Sequence, residues 1–298
     1  MFRFALIALA IAGVAFAQGP TGGVRPGLAI RVLTTSQKVA QSDAVIEGKV
    51  TSLEKETVEL PQYPGDKNKV AFTVAVIKVE SALAGAKNAT HVKVAFLAQA
   101  VGGGGGRPIR PIGYAPVQLA EGQEGIFFLQ KHPGSETLYA ATPAAPPIEA
   151  KAESYKDDLA KVKSFAAALA EPAKALKAAK LDDRLSAAAV IVARYRRPVA
   201  SGPAVEEAIP AAETDLIVKA MLEADWTAAD MPAPGFDYQA SGPGLAGALG
   251  LFPGNSGVLP VTAKPGESYN GLWKAAVKAR LEKGDKFEIK KFVAKDKK

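Results

Sequence analysis

The sequence predicts an α+β fold in two parts, an N-terminal antiparallel β-barrel followed by an α-helical C-terminal domain. Three observations carry that prediction. Apolar residues recur with period two between Asp43 and about residue 141, as in strands with one wet face. Past the Pro143 to Pro147 stretch they recur at three- and four-residue steps, as on one face of a helix. A chain of 298 residues with 48% hydrophobic and 22% charged residues has ample length and composition for a buried core. It has no cysteine, so burial alone must hold it, and disulfides, thiolate metal sites and a Cys nucleophile are excluded.

Residues 1–17 read as a signal peptide. Arg3 precedes an apolar run from Phe4 to Phe16, and Ala15-Phe16-Ala17 supplies small residues flanking a cleavage point before Gln18. The run is short for a membrane span, which needs about 20 residues, and no basic stop-transfer flank follows it. The expectation is therefore an exported protein, periplasmic or extracellular, with no transmembrane span after signal cleavage. With no Cys after the small residues, a lipid anchor is ruled out.

The expected barrel domain covers residues 18–148. Ala44 to Leu53 forms the first strand, and Thr57 to Leu60 continues it beyond a bend. Pro61 to Asn68 is turn chemistry. Val70 to Val79 makes the second strand, Ser81 to Gly85 a short helical turn, and His91 to Leu97 the third strand. Glu124 to Leu129 and Leu138 to Ala141 form a hairpin around Lys131-His132-Pro133-Gly134-Ser135. Five or so strands in about 110 residues fit a compact barrel of the OB type.

Two runs within this part resemble a known family. Val39 to Val50 is similar to the opening strand of netrin-like domains, the OB-type barrels of tissue inhibitors of metalloproteinases. Glu121 to Leu129 is similar to the strand that closes such barrels. Those inhibitors chelate the protease zinc through an N-terminal Cys, which this chain lacks, so the resemblance implies the fold and not protease inhibition.

The helical domain is expected over residues 149–230. Tyr155, Leu159, Val162, Ala166 and Leu169 mark one helix, which Glu171-Pro172 breaks. Leu185, Ala188, Ala189, Val192 and Tyr195 mark a second, with Asp182 and Asp183 placed to cap it. Thr214 caps a third, with Leu216, Ile217, Ala220 and Met221 on its buried side. Leu181 to Ala189 is similar to a helix of HEAT-type repeats, but no second copy follows at a repeat period. With the Trp226 end of the third helix, this half resembles uncharacterised exported bacterial proteins in which a β-domain precedes helical units. Residues 231–267 form a Gly/Pro-rich irregular segment, 14 of 35 positions between Pro232 and Gly266 being one or the other, and its Phe and Leu content predicts packing on the helices. Residues 268–298 are a C-terminal helix, stopped at Gly284, and a basic tail.

Charge is localised. Between 264 and 298 there are 11 Lys/Arg and 5 acids, so that stretch carries +6 of the formal +7, and Arg3 of the signal carries the rest. The body between is neutral. Phe287 to Val293 reads as a short strand docked on the body, leaving Lys295, Lys297 and Lys298 solvated; the functional reading is attraction to an anionic cell-envelope component. Nucleic acid does not fit, because no base-stacking aromatics interleave with these charges and an exported protein seldom meets it.

The other candidates are weighed against plainer accounts. Gly102, Gly103 and Gly104, with Arg107 and Arg110 beside them, offer a candidate ligand or anion contact. Prolines at 108 and 111 oppose the helix a phosphate loop requires, so a loop between strands is the plainer account. His91 and His132 have no neighbouring His or acid at ligand spacing, and no Gly-x-Ser-x-Gly elbow is present. The pairs Asp157-Asp158, Asp182-Asp183 and Glu206-Glu207 suit helix starts and loops. Asn88-Ala89-Thr90 fits a glycosylation sequon. No catalytic residue, metal ligand or cofactor is assigned. The expectation is a non-catalytic binding or envelope-associated structural protein whose partner is an unidentified protein or an anionic envelope component. The alternative is a secreted hydrolase whose site assembles only in the fold.

Overall fold

The computed structural model describes residues 33–97, 117–199, 202–224, 269–284 and 286–295. The chain alternates, as the sequence predicts, from strands to helices, with additions at both ends.

The first described element is a helix, α1 (Thr35–Gln41), ahead of the first predicted strand. Thr34 and Gln37 form a capping box: each side chain bonds the other's backbone N–H. A seven-residue helix is marginal by itself. Here burial holds it, with Ser36, Gln37, Lys38, Val39 and Ala40 all taken out of solvent.

Six strands follow in the first half of one large sheet: β1 (Ala44–Leu53), β2 (Val58–Pro61), β3 (Lys69–Ala84), β4 (His91–Leu97), β5 (Glu124–Lys131) and β6 (Leu138–Ala141). The two-residue β7 (Ile148–Glu149) completes its seven strands. Five of them close a ring. β1 pairs antiparallel with β3 and with β5, β3 antiparallel with β4, β4 parallel with β6, and β6 antiparallel with β5. Three register shifts between β1 and β3 bend these long strands around the ring. Gly48 and Gly125 face each other across β1 and β5. A Cβ on Gly48 would lie 2.4 Å from Lys78 O, and one on Gly125 2.2 Å from Ile148 O, so both close approaches require glycine.

The expected helical turn at Ser81 to Gly85 is instead strand. β3 continues to Ala84 because β1 lies beside it, pairing Ile46 with Ala82 and Val45 with Ala84. Pairing overrides the helical preference of Ala and Leu there.

The helices are α2 (Tyr155–Ala170), α3 (Pro172–Ala175), α4 (Leu181–Tyr195), α5 (Ala211–Glu223) and α6 (Tyr269–Glu282). Pro172 ends α2 as expected and opens α3. Two capping expectations are corrected. Residue 180 is the N-cap of α4 and makes no side-chain cap bond, so Asp182 and Asp183 lie inside its first turn, where they favour only the dipole. α5 begins after Pro210, which places Thr214 within the helix and buries it. Gly284, at φ 86°, follows α6 as predicted. A second sheet, also unforeseen in part, pairs β8 (Ala204–Ala208) antiparallel with β9 (Lys290–Ala294).

Two apolar cores meet at β1 and β5. Ala44, Ile46, Phe127 and Leu129 point into the ring with Ile77, Val92, Val94 and Phe96. Val45, Ile126 and Phe128 point outward and join Val39, Val162, Ile191 and Ile217 beneath the helices. These strands are buried on both faces over residues 44–46 and 126–129, which is why those stretches read as continuous apolar runs, while β1 beyond Ile46 alternates. The seam carries polar stitches as well. Tyr155 Oη donates to Glu47 Oε1 at 2.9 Å, and Arg194 Nη1 donates to Ala40 O and Ser42 O at 3.0 and 2.6 Å.

Candidate functional site

The basic C-terminal strand is built onto the body by four interactions. Ile289 is fully buried, and its carbonyl accepts the Ile209 N–H at 2.9 Å. Residues 204–208 and 290–294 then pair in register. Arg196, just past α4, donates from Nη1 to Glu206 Oε1 at 2.8 Å and lays its guanidinium over the Phe292 ring, 4.0 Å from the centroid. Lys291 Nζ lies 3.5 Å from Glu207. Glu206 and Glu207, expected at a helix start or in a loop, thus sit in a strand and are spent on ion pairs.

This arrangement fixes what basic charge remains. Lys283, Lys286, Lys290 and Lys295 are exposed, with no ion-pair partner among the described residues, while Lys291 is half-buried and paired. The strand's period of two puts Lys290 on one face of β9 and Lys291 and Lys295 on the other. The charge is therefore displayed around the strand and not along one stripe of it. Lys295 follows β9 directly, its N–H donating to Pro203 O at 2.9 Å. Lys297 and Lys298 lie outside the described residues, as do Gly102, Gly103, Gly104, Arg107 and Arg110. Of the eight candidate contact residues, Lys295 alone is among the described residues.

His132 has a structural role that its sequence position did not disclose. It is buried, its ring stands edge-on to Phe72 with centroids 4.9 Å apart, and its Nδ1 accepts the Gly134 N–H at 3.1 Å. An accepting Nδ1 requires the neutral imidazole, and burial lowers the pKa in the same direction. His91 is exposed and contacts the neighbouring Thr90 Oγ1 at 3.3 Å. Among the described residues neither ring is hydrogen-bonded to a carboxylate or to a serine. Among the described residues no group of three or more His, Asp or Glu could hold a metal ion. Asn88 of the sequon lies exposed between β3 and β4 at φ 68°.

Two further clusters of charged groups sit at the junction of ring and helices. Asp43 accepts both guanidinium nitrogens of Arg197, at 2.8 and 2.9 Å, and the Lys131 N–H at 2.7 Å. Burial alone would raise its pKa, but these hydrogen bonds and the charges of Arg197 and Arg194 outweigh burial and lower it. Lys38 is buried with its Nζ 3.2 Å from Pro146 O and 5.3 Å from the Phe128 ring centroid. Desolvation lowers its pKa against the pull of Asp158.

Two grooves open among the described residues. One, about 550 Å³, is lined by Gln118, Glu121, Gln123, Glu124, Glu149 and Lys151. Its carboxylates are engaged: Glu121 accepts the Leu53 N–H, Glu124 pairs with Lys49 and Glu149 with Lys151. The other, about 480 Å³, lies between α5 and α6. No local pattern announces it, because it needs two helices separated by 45 residues of chain to be brought side by side.

No protein-family model matches the sequence, and no curated protein is similar to it. No helix among the described residues is long and apolar enough to cross a membrane.

Proposed function

We propose that the protein is an exported, non-catalytic binding protein that docks on anionic surfaces of the cell envelope through its C-terminal strand and tail. The observation that carries this reading is the anchoring of β9. Ile289, Phe292 and the pairing with β8 hold the strand on the body while Lys283, Lys286, Lys290 and Lys295 stay exposed and unpaired among the described residues. Fixed cations attract an anionic surface without the ordering cost of a free tail. Lys297 and Lys298 add charge immediately beyond them.

The ring is proposed as the scaffold, an OB-type barrel over residues 18–148. Its five strands, numbered by appearance within the ring, run first, second, third, fifth, fourth and back to first, with a parallel pair between third and fifth. That circuit is the one OB-type barrels use. The signal peptide at 1–17 accounts for the export.

The test compares sedimentation with vesicles of phosphatidylglycerol and phosphatidylcholine against pure phosphatidylcholine, at about 0.1 M and about 1 M salt. The protein is expected on the anionic vesicles at low salt only. Replacing Lys290, Lys295, Lys297 and Lys298 by Gln should reduce that binding by roughly a hundredfold or more. Equal binding to both vesicle types, or binding that ignores salt, sinks the proposal.

A further inference from the structure

We infer that the groove between α5 and α6 is a binding site for a monomeric long-chain carboxylate, the acyl chain lying on its floor and the head group at its lysines. The floor is apolar: Val218 and Leu222 come from successive turns of α5, and Leu281 from α6. At about 480 Å³ the groove falls within the range of small-molecule sites, roughly 300–1,000 Å³.

The rim decides the sign of the ligand. Lys219, Lys274 and Lys278 face Asp215 and Glu223 around the floor. Glu223 is already held by Arg184, which cancels it. Lys274 spends its Nζ on the Ala224 carbonyl at 2.6 Å, a bond that leaves its charge uncompensated. Lys278 approaches Glu282 no closer than 3.9 Å, and Lys219 has no ion pair among the described residues. With Lys278 paired to Glu282, Lys219 and Lys274 against one carboxylate uncommitted among the described residues, Asp215, leave a positive rim over an apolar floor. A ligand with an anionic head and an apolar chain satisfies both, whereas a neutral chain satisfies only the floor and a cationic one is repelled. This site is separate from the envelope-docking reading: it uses helices α5 and α6, not β9, and needs no membrane.

The test is calorimetric titration of the full chain with laurate, dodecanol and dodecyltrimethylammonium, each below its micelle concentration. Laurate is expected to bind with one site, and dodecyltrimethylammonium not to bind. The exposed pair Lys219→Gln and Lys278→Gln should weaken laurate about tenfold while leaving dodecanol unchanged. Lys290→Gln with Lys295→Gln should leave laurate binding intact, which separates this site from the tail. The inference is overturned if laurate does not bind, as when the groove is filled by another part of the chain or shaped for a partner's helix. It is overturned equally if anionic and cationic chains bind alike, or if the Lys219 and Lys278 variant binds laurate as the wild type does.

Discussion

Phe127 and Phe128 are neighbours in β5 that face opposite cores, and truncating each in turn asks whether ring and helices unfold as one unit. Phe127 is wholly buried inside the ring and Phe128 is 1% exposed beneath the helices. Removing a buried Phe side chain costs about 3–5 kcal/mol in lost transfer energy and residual cavity. With a urea slope of about 3 kcal/mol per molar for a chain of this size, either Phe127→Ala or Phe128→Ala should lower the midpoint by about 1–1.7 M. The assay is urea unfolding followed by far-ultraviolet circular dichroism and by tryptophan fluorescence. Both tryptophans, Trp226 and Trp273, lie in the C-terminal half of the sequence, so fluorescence reports on that half. Because β1 and β5 belong to both cores, the two signals should move together in the wild type and in both variants. If Phe127→Ala shifts the dichroism and leaves the fluorescence midpoint in place, the ring and the helices are separate folding units and the shared-seam argument fails.

Three further outcomes are expected. His132 is held neutral, so its folded pKa lies below the ordinary value of 6.5; its contribution to stability is complete above that value and is lost as pH falls below it toward the folded pKa. Melting temperature should therefore fall more steeply between pH 7 and pH 5 in the wild type than in His132→Asn, and parallel slopes would dismiss the neutral-imidazole account. Gly48→Ala places a methyl 2.4 Å from the Lys78 carbonyl in the middle of the sheet, and thermal denaturation should show a loss of about 1–3 kcal/mol; an unchanged melting point would mean that β1 and β3 can part freely. Arg197→Lys keeps the charge but cannot span both oxygens of Asp43, so stability should drop by about 1–2 kcal/mol while anionic-vesicle binding stays as it was. A loss of vesicle binding without a loss of stability would assign Arg197 to the docking surface instead.

The elements legible in the sequence are those whose local pattern agrees with their tertiary setting. β4 alternates His91, Val92, Lys93, Val94 because one face is wet, and it spans the predicted residues. α2 ends where Pro172 requires. The features that escaped detection depend on distant partners. β8 is Ala204-Val205-Glu206-Glu207-Ala208, too short and too acidic to announce a strand, and only β9 makes it one. The extension of β3 through Ser81 to Ala84 depends on β1 in the same way. Other features do carry a local signal. Thr34 and Gln37 have capping-box spacing, and the unbroken run Ile126 to Leu129 already implied a strand covered on both faces. For the candidate site, the sequence located the basic tail and its docked strand, but not which lysines the docking leaves free.

The division of labour between arginine and lysine explains why that last step needs the structure. Arg184, Arg194, Arg196 and Arg197 cluster on and just beyond α4, and a count of charge weighs them like any lysine. In the fold each is committed: Arg184 to Glu223, Arg194 to two backbone carbonyls, Arg196 to Glu206 and the Phe292 ring, Arg197 to Asp43. A planar guanidinium with several fixed donors suits such half-buried junctions, where a strongly hydrated ammonium would cost more to desolvate. The lysines of residues 283–295 follow the opposite course, all but Lys291 staying exposed and free of ion pairs among the described residues. Arginine therefore stitches helix to ring and strand to helix, and the exposed, unpaired cations of the described C-terminal strand region are lysines. Asp43, Glu206 and Glu223 are each paired with an arginine of or beside α4, while Lys283, Lys286, Lys290 and Lys295 stay exposed with no acid partner among the described residues.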